Sequence, residues 1–251
     1  DAGWFVAKAP QTTVDFRKAV QSWNKPLVSH EVVQYCSYPD LRQKASYTGS
    51  LHAGYLDIAR DQLESNGLLD QAADFIGASG KWQAELFKEE IEAALRTPGF
   101  AGFQLLSLHD FPGQGAALVG VVDAFWKSKG YITAEQFRRF CAPTVPLARL
   151  EKRVFTRNEA FRATLEVAHF GRAPIGASAV RWRIVAMRGR ELAAQSLDGK
   201  RVPVGNGTEL GAVTVDLARF TAPAKYRLEL TVAGSTNHWD FWVFPGGEAP
   251  S

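Results

Sequence analysis

Residues 25–35 read KPLVSHEVVQY. Within them Pro26-Leu27-Val28-Ser29 has the apolar character of a short strand, and His30 and Glu31 stand at its end. A strand covered on both faces reads as a continuous apolar run, and in parallel α/β folds the polar functional groups collect where such strands end. Glu31 is therefore a candidate functional carboxylate at a carboxyl edge. A second stretch repeats the arrangement: residues 102–108, GFQLLSL, run into His109 and Asp110. An acid at a strand end also caps a following helix or pairs with an arginine, and that structural reading stands beside the catalytic one.

Between and around these runs the periodicity is helical. Phe16, Ala19, Val20 and Trp23 fall at i, i+3, i+4 and i+7, which predicts an amphipathic helix over 12–23. Residues 55–63 and 68–76 read as short helices, and 82–95 as a longer one with Ala84, Phe87, Ile91 and Leu95 inward, ended by Pro98-Gly99. Thr133 and Gln136 form a capping box ahead of Phe137 and Phe140. Beyond about residue 146 the period changes to two. RATLEV, VRWRIV and YRLELTV alternate polar and apolar side chains between Gly, Pro and Asn clusters, so Trp182, Ile184, Tyr226, Leu228 and Leu230 point inward while Arg181 and Arg183 face water. This predicts an antiparallel sandwich of about seven strands. Two domains follow, 1–146 and 147–251, with the boundary between Cys141 and Leu150.

Composition narrows the function classes. The 251 residues are 46% hydrophobic with seven Trp, enough for real cores. A formal charge of +3, from 29 basic and 26 acidic side chains spread along the chain, builds no basic stripe, so no nucleic-acid partner is expected. No run reaches the roughly 18 apolar residues of a membrane helix, and no membrane partner is expected. The start Asp1-Ala2-Gly3 lacks a signal peptide's basic and apolar segments, so either a leader has been removed or the chain has been cut. Cys36 and Cys141 are too few for a disulfide framework and leave the redox compartment open.

The run from KPLVSHEVVQY through WQAELFKEEIEAALRTPGFAGFQLLSLHDFPGQG to GVVDAFWKSKGYI resembles the end of the catalytic barrel of glycoside hydrolase family two, which includes β-galactosidases and β-glucuronidases. The resemblance places the nucleophilic glutamate at Glu31, ending the seventh barrel strand. It matches a helical glutamine to Gln83, and an Asp-Phe pair near the eighth strand to Asp110-Phe111. It implies an α/β partial, half TIM barrel followed by an all-β immunoglobulin-like sandwich, a retaining glycosidase activity and no cofactor. It also favours a periplasmic or secreted location. The family's acid/base glutamate follows an asparagine upstream of anything present here, and the sole Asn-Glu pair, Asn158-Glu159, falls in the sandwich. On this alignment residues 1–146 hold about the last three of eight barrel strands. The missing half, or a second copy of the chain, is then the expected partner, because open parallel edges leave hydrogen-bonding groups unpaired.

With Glu31 as nucleophile, Asp110 is the candidate second carboxylate in a shared, solvent-connected cleft. His30 and His109 are candidate donors to sugar hydroxyls, and Tyr35, Tyr38 and Trp126 candidate stacking platforms. Trp239 and Trp242 read as sandwich core, His169 and His238 as structural. The five histidines show no metal-ligand spacing, so no metal site is expected. Ser22 and Lys25 match a Ser-x-x-Lys spacing without a confirming motif, and Cys36 lacks any activating motif. Gly113-Gln114-Gly115 lets backbone approach a ligand but is no phosphate loop. Two other classes remain beside the glycosidase: a non-catalytic carbohydrate-binding or assembly module, and an esterase using His109 with a nearby serine.

Overall fold

The computed structural model describes residues 7–111, 113 and 117–246. Gln114 and Gly115, and the chain start at Asp1, lie outside them. Helices occupy the first part of the chain and strands dominate after residue 143. Contacts divide it into two units, Asp1–Val28 with Ile91–Gly102 and Arg138–Ser251, and Ser29–Glu90 with Phe103–Phe137. The two units interleave along the chain.

The first unit is built on two sheets. One orders β3 (Thr144–Arg149), β5 (Ala160–His169) and β8 (Gly205–Asp216) side by side. The other runs β4 (Val154–Thr156), β10 (Ser235–Phe244), β9 (Ala224–Val232), β6 (Val180–Ala186), β7 (Glu191–Leu197). All these pairs are antiparallel except β4 with β10. Trp182, Ile184, Leu228, Trp239 and Phe241 from the larger sheet and Phe161, Leu165 and Val213 from the smaller share one buried cluster, a β-sandwich-like arrangement. Arg181 and Arg183 are exposed, as alternation requires. Among the described residues these strands number eight instead of about seven, because the short β4 pairs along the edge of β10. Trp242 is the exception to the expected core: it points outward on β10, half-buried, with the Lys225 ammonium 5.3 Å from its ring.

The expected helix over 12–23 shrinks to α1 (Arg17–Gln21), which buries nothing, and Trp23 is 64% exposed. The reason is a competing strand edge. Thr12 is fully buried; its N–H donates to Leu150 O, its hydroxyl to Ala148 O, and Leu150 N–H donates back to that hydroxyl. Backbone held in this way beside β3 cannot close helical hydrogen bonds.

In the second unit, α2 (Gly54–Ser65) matches the reading, while the two helices expected over 68–76 and 82–95 are a 3-10 turn, Leu69–Gln71, and one continuous helix, α3 (Ala72–Leu95). The gap read across Gly77–Lys81 does not break the helix, since a helical Gly costs only about 1 kcal/mol. Gly80 instead makes room for a ring: a Cβ there would lie 2.1 Å from Tyr131 Cδ1. From Leu86 to Thr97 nearly every residue is buried, including Glu92 and Arg96, so this half of α3 has no polar outer face and Ala84 is only half-buried. The capping box closes as expected on α4 (Ala134–Arg138), with Gln136 N–H donating to Thr133 Oγ1 at 3.2 Å and Thr133 N–H to Gln136 Oε1 at 2.8 Å.

β1 (Leu27–Val32) and β2 (Phe100–Leu105) form a sheet of two strands among the described residues, against the three that the resemblance implies. His30 meets Gln104 and Val32 O accepts from Leu106 N–H, so residue numbers rise together and the pair is parallel. Neither strand is covered on both faces. Val28 is 56% exposed, and Phe100 is the one buried residue of β2.

Candidate functional site

Glu31 lies at the carboxyl end of β1, its side chain 44% exposed. Its Oε2 accepts from Gln34 Nε2 at 3.1 Å, and its backbone oxygen accepts from the same amide at 3.3 Å. His30 Nδ1 pairs with Gln104 Oε1 at 2.8 Å, which leaves Nε2 3.5 Å from Glu31 Oε1. The backbone here is unusual: φ is +54° at Glu31 and +64° at Val33. Left-handed conformations are uncommon without glycine and abnormal for a β-branched residue. Val33 N–H donates to Glu90 Oε2 on α3 at 2.8 Å. Burial raises the Glu90 carboxyl, partly offset by that hydrogen bond, and burial followed by the Glu90 charge raises the Tyr35 phenol.

Asp110 is held in the interior by a lysine and a backbone amide. It is 2% exposed, and its Oδ1 accepts from Lys129 Nζ at 2.6 Å and Gly120 N–H at 3.1 Å. Lys129 spends its other two hydrogens on Ser37 Oγ, 3.0 Å, and Gly120 O, 2.8 Å. Burial pushes the Asp110 carboxyl up, with Lys129 pulling it part of the way back; burial likewise pulls the Lys129 ammonium down against the attraction of Asp110. Among the described residues no hydrogen bond or ion pair joins Asp110 to Glu31. Gly120 is required by the same packing, because a Cβ would meet the His109 carbonyl carbon at 2.2 Å.

The other predicted residues divide between surface and interior. His109 Nδ1 hydrogen bonds with Ser107 Oγ at 2.7 Å, and its ring lies 4.6 Å from that of Trp126, tilted by 52°. Trp126 is 63% exposed and itself left-handed, at φ +63°. Asp123 builds the turn that presents it, accepting from Phe125 N–H at 2.8 Å and Lys127 N–H at 2.9 Å. Tyr35 is half-buried and its carbonyl accepts from Gln83 Nε2 at 2.5 Å, while Gln83, fully buried, also donates to Leu118 O and accepts from the Tyr131 hydroxyl. Gln83 is thus an internal brace. Ser107 Oγ also accepts from the backbone N–H of His109, a local turn contact, and among the described residues no carboxylate hydrogen bonds the ring. Gln34, Gln104, Glu90, Asp123 and Lys129 were not singled out by sequence reasoning. Asp123, two residues before an aromatic pair, had a usable turn signal, whereas the others are defined by partners remote in the chain. Among the described residues no cluster of His, Cys, Asp and Glu can hold a metal ion.

A family described as a domain of unknown function, DUF8488, matches residues 159–245. No curated protein matches the chain. Solved structures similar to parts of it include glycoside hydrolases at low identity. The exo-chitosanase CsxA of Amycolatopsis orientalis is 12% identical over 69% of this chain and 20% of its own, with a TM-score of 0.44. A β-glucuronidase of Parabacteroides merdae is 16% identical over 38% of this chain and 14% of its own, with a TM-score of 0.28. The CARDB domain of the PF1109 protein of Pyrococcus furiosus is 14% identical over 41% of this chain and 94% of its own, with a TM-score of 0.32. The chain therefore spans no more than a fifth of either glycosidase's length.

Proposed function

We propose that this chain is the nucleophile-bearing end of a retaining glycoside hydrolase, joining the last part of a (β/α) barrel, residues 1–146, to an immunoglobulin-like sandwich, residues 147–251. One observation carries the reading. Of the four non-glycine residues at positive φ among the described residues, Ala233 precedes Gly234 in the two-residue β9–β10 hairpin turn, where such angles are normal. The other three, Glu31, Val33 and Trp126, comprise the candidate nucleophile, its close neighbour and the exposed stacking platform. Strain of this kind is held where function needs it. The sequence resemblance independently puts the nucleophile at Glu31. The sandwich assignment draws on strand order and on Tyr226, whose hydroxyl donates to Thr221 O at 2.6 Å, the tyrosine-corner contact of that fold.

In this mechanism Glu31 attacks the anomeric carbon, and water then hydrolyses the glycosyl-enzyme ester. Retention needs a protonated acid about 5–5.5 Å away. Asp110 is engaged with Lys129, so the acid comes from a polypeptide that covers the open strands, either an upstream barrel half or a second copy. His30, His109 and Trp126 bind the sugar. The test is a panel of aryl β-glycosides with the chain and with Glu31→Gln, which keeps size and removes the charge. Turnover that falls about 10³-fold or more in the variant, at unchanged stability, is the expected result, and equal turnover rejects Glu31 as nucleophile. The burial of Asp110 beside half-buried His109 and exposed Trp126 favours a second reading, sugar binding without hydrolysis. Saturable binding with no turnover on any glycoside selects it.

A further inference from the structure

We infer that Glu90 is a positioning residue for Glu31: it clamps the left-handed turn that carries the candidate nucleophile. The inference rests on Glu31 being the functional carboxylate of the proposed glycosidase.

The clamp acts on a single peptide unit. Val32 O, at the end of β1, accepts from Leu106 N–H at 3.2 Å, and the N–H of the same peptide, Val33, donates to Glu90 Oε2 at 2.8 Å. A peptide is planar, so holding both ends fixes its orientation. That plane borders φ at Val33 directly and holds the residue that follows Glu31. Glu31 and Val33 have φ of +54° and +64°, on either side of Val32, and a buried valine adopts such an angle only when its surroundings impose it. An ordinary extended strand would carry Val33 N–H on along the sheet ladder. Here the bond is diverted to α3, and the chain leaves the sheet after Val32, one residue beyond Glu31. Gln34, which donates to the Glu31 carboxylate and carbonyl, closes the turn from its other side. Glu90 suits the task because it comes from a helix, whose backbone does not move with the strand tip, and because it is half-buried, where a charge-assisted hydrogen bond to an amide is strong. Val32 and Val33, 3% and 1% exposed, seat the turn from below but do not specify its handedness.

The clamp is tested by residue-resolved amide exchange on the full chain, with turnover read separately. Glu90→Ala is expected to speed exchange at Val33 by at least about tenfold, the size of a lost charge-assisted bond, with the sandwich amides of Phe161 and Leu228 unchanged. Glu90→Gln keeps an oxygen acceptor and should stay within about threefold of the parent. Unchanged exchange at Val33 in Glu90→Ala overturns the clamp, and so does acceleration spread evenly over the whole chain. A second variant separates positioning from packing. Glycine needs no clamp to hold φ near +60°, so adding Val33→Gly to Glu90→Ala should recover at least half of the turnover that Glu90→Ala loses. A chain whose Glu90→Ala turnover equals the parent's, or is not recovered by Val33→Gly, contradicts a positioning role. If the parent turns over no glycoside, the glycosidase reading fails on its own, and exchange at Val33 still decides whether the clamp exists.

Discussion

At the scale of single residues, burial sets Lys129 and Asp110 against a steep desolvation cost. Their hydrogen bond is short, yet Asp110 is raised and Lys129 lowered, each led by burial, so the loss of water outweighs their mutual attraction. Such a pair adds little net stability while intact and costs much when halved. Lys129→Met should destabilise the protein by about 3–5 kcal/mol, leaving the Asp110 charge with Gly120 N–H alone, and adding Asp110→Asn should recover most of it. Urea denaturation of the two variants checks this, and a single variant within about 1 kcal/mol of the parent would mean that the pair is hydrated. The same residues mark where sequence reading stops. His30-Glu31 and His109-Asp110 look alike as strand ends, and nothing local tells them apart. The difference is a lysine nineteen residues further along, which reaches one acid and not the other.

At the scale of elements, what could be read was whatever a local period encodes. The two-residue alternation of β6 and β9 returns as buried Trp182, Ile184, Tyr226, Leu228 and Leu230, because a strand's faces are fixed by its own pleat. The helix over 12–23 failed because Thr12 pairs with β3, more than a hundred residues away, and Gly77 and Gly80 do not interrupt α3 because a helical glycine costs only about 1 kcal/mol, the one at position 80 also leaving room for Tyr131. Cross-strand charge is similarly a product of register. Asp240 on β10 sits opposite Arg227 on β9, accepting from its Nε at 2.7 Å, and pairs with Lys225 Nζ at 2.6 Å. Burial raises the Asp240 carboxyl, but the bonds from Arg227 and Lys225 prevail and it ends below its ordinary 3.8. With a folded pKa below the unfolded one, its contribution is complete above about pH 4 and is lost as pH falls through the folded value. Asp240→Asn should cost about 1 kcal/mol at pH 7 and less as the solution is acidified, so the two stability curves converge towards pH 2. Curves that stay parallel from pH 7 to pH 2 would show that Asp240 draws no stability from its charge.

At the scale of the whole molecule, the sandwich is not closed by its own strands. Its unit takes in residues 1–28 and the end of α3, and the reason is a buried carboxylate. Glu92, fully enclosed, accepts from Asn237 Nδ2 at 2.7 Å, Trp239 Nε1 at 2.9 Å and Arg96 NH1 at 3.2 Å. Asn237 and Trp239 lie on β10 in the core, so α3 supplies the acceptor that two interior donors of the sandwich require. Sequence reasoning put Trp239 in the sandwich core and Glu92 within a helix over 82–95 but saw no link between them, because a polar residue within a buried helical stretch advertises no partner. The consequence is that residues 147–251 should not fold as an autonomous domain. Cut there, the chain loses Glu92, the Thr12 contacts and the first half of β3, and takes the carboxylate acceptor from two buried donors at about 1–3 kcal/mol each. Against the roughly 5–15 kcal/mol by which a domain is usually stable, the combined loss is large. The isolated segment should lack a cooperative thermal transition and the near-ultraviolet signal of an immobilised Trp239. In the full chain, Glu92→Ala should cost about 3–5 kcal/mol by taking the carboxylate away from Arg96 as well as from the two strand residues. A 147–251 segment that melts cooperatively near the full chain's temperature would show that β10 finds other acceptors, and would make the helix a passenger on a self-sufficient sandwich.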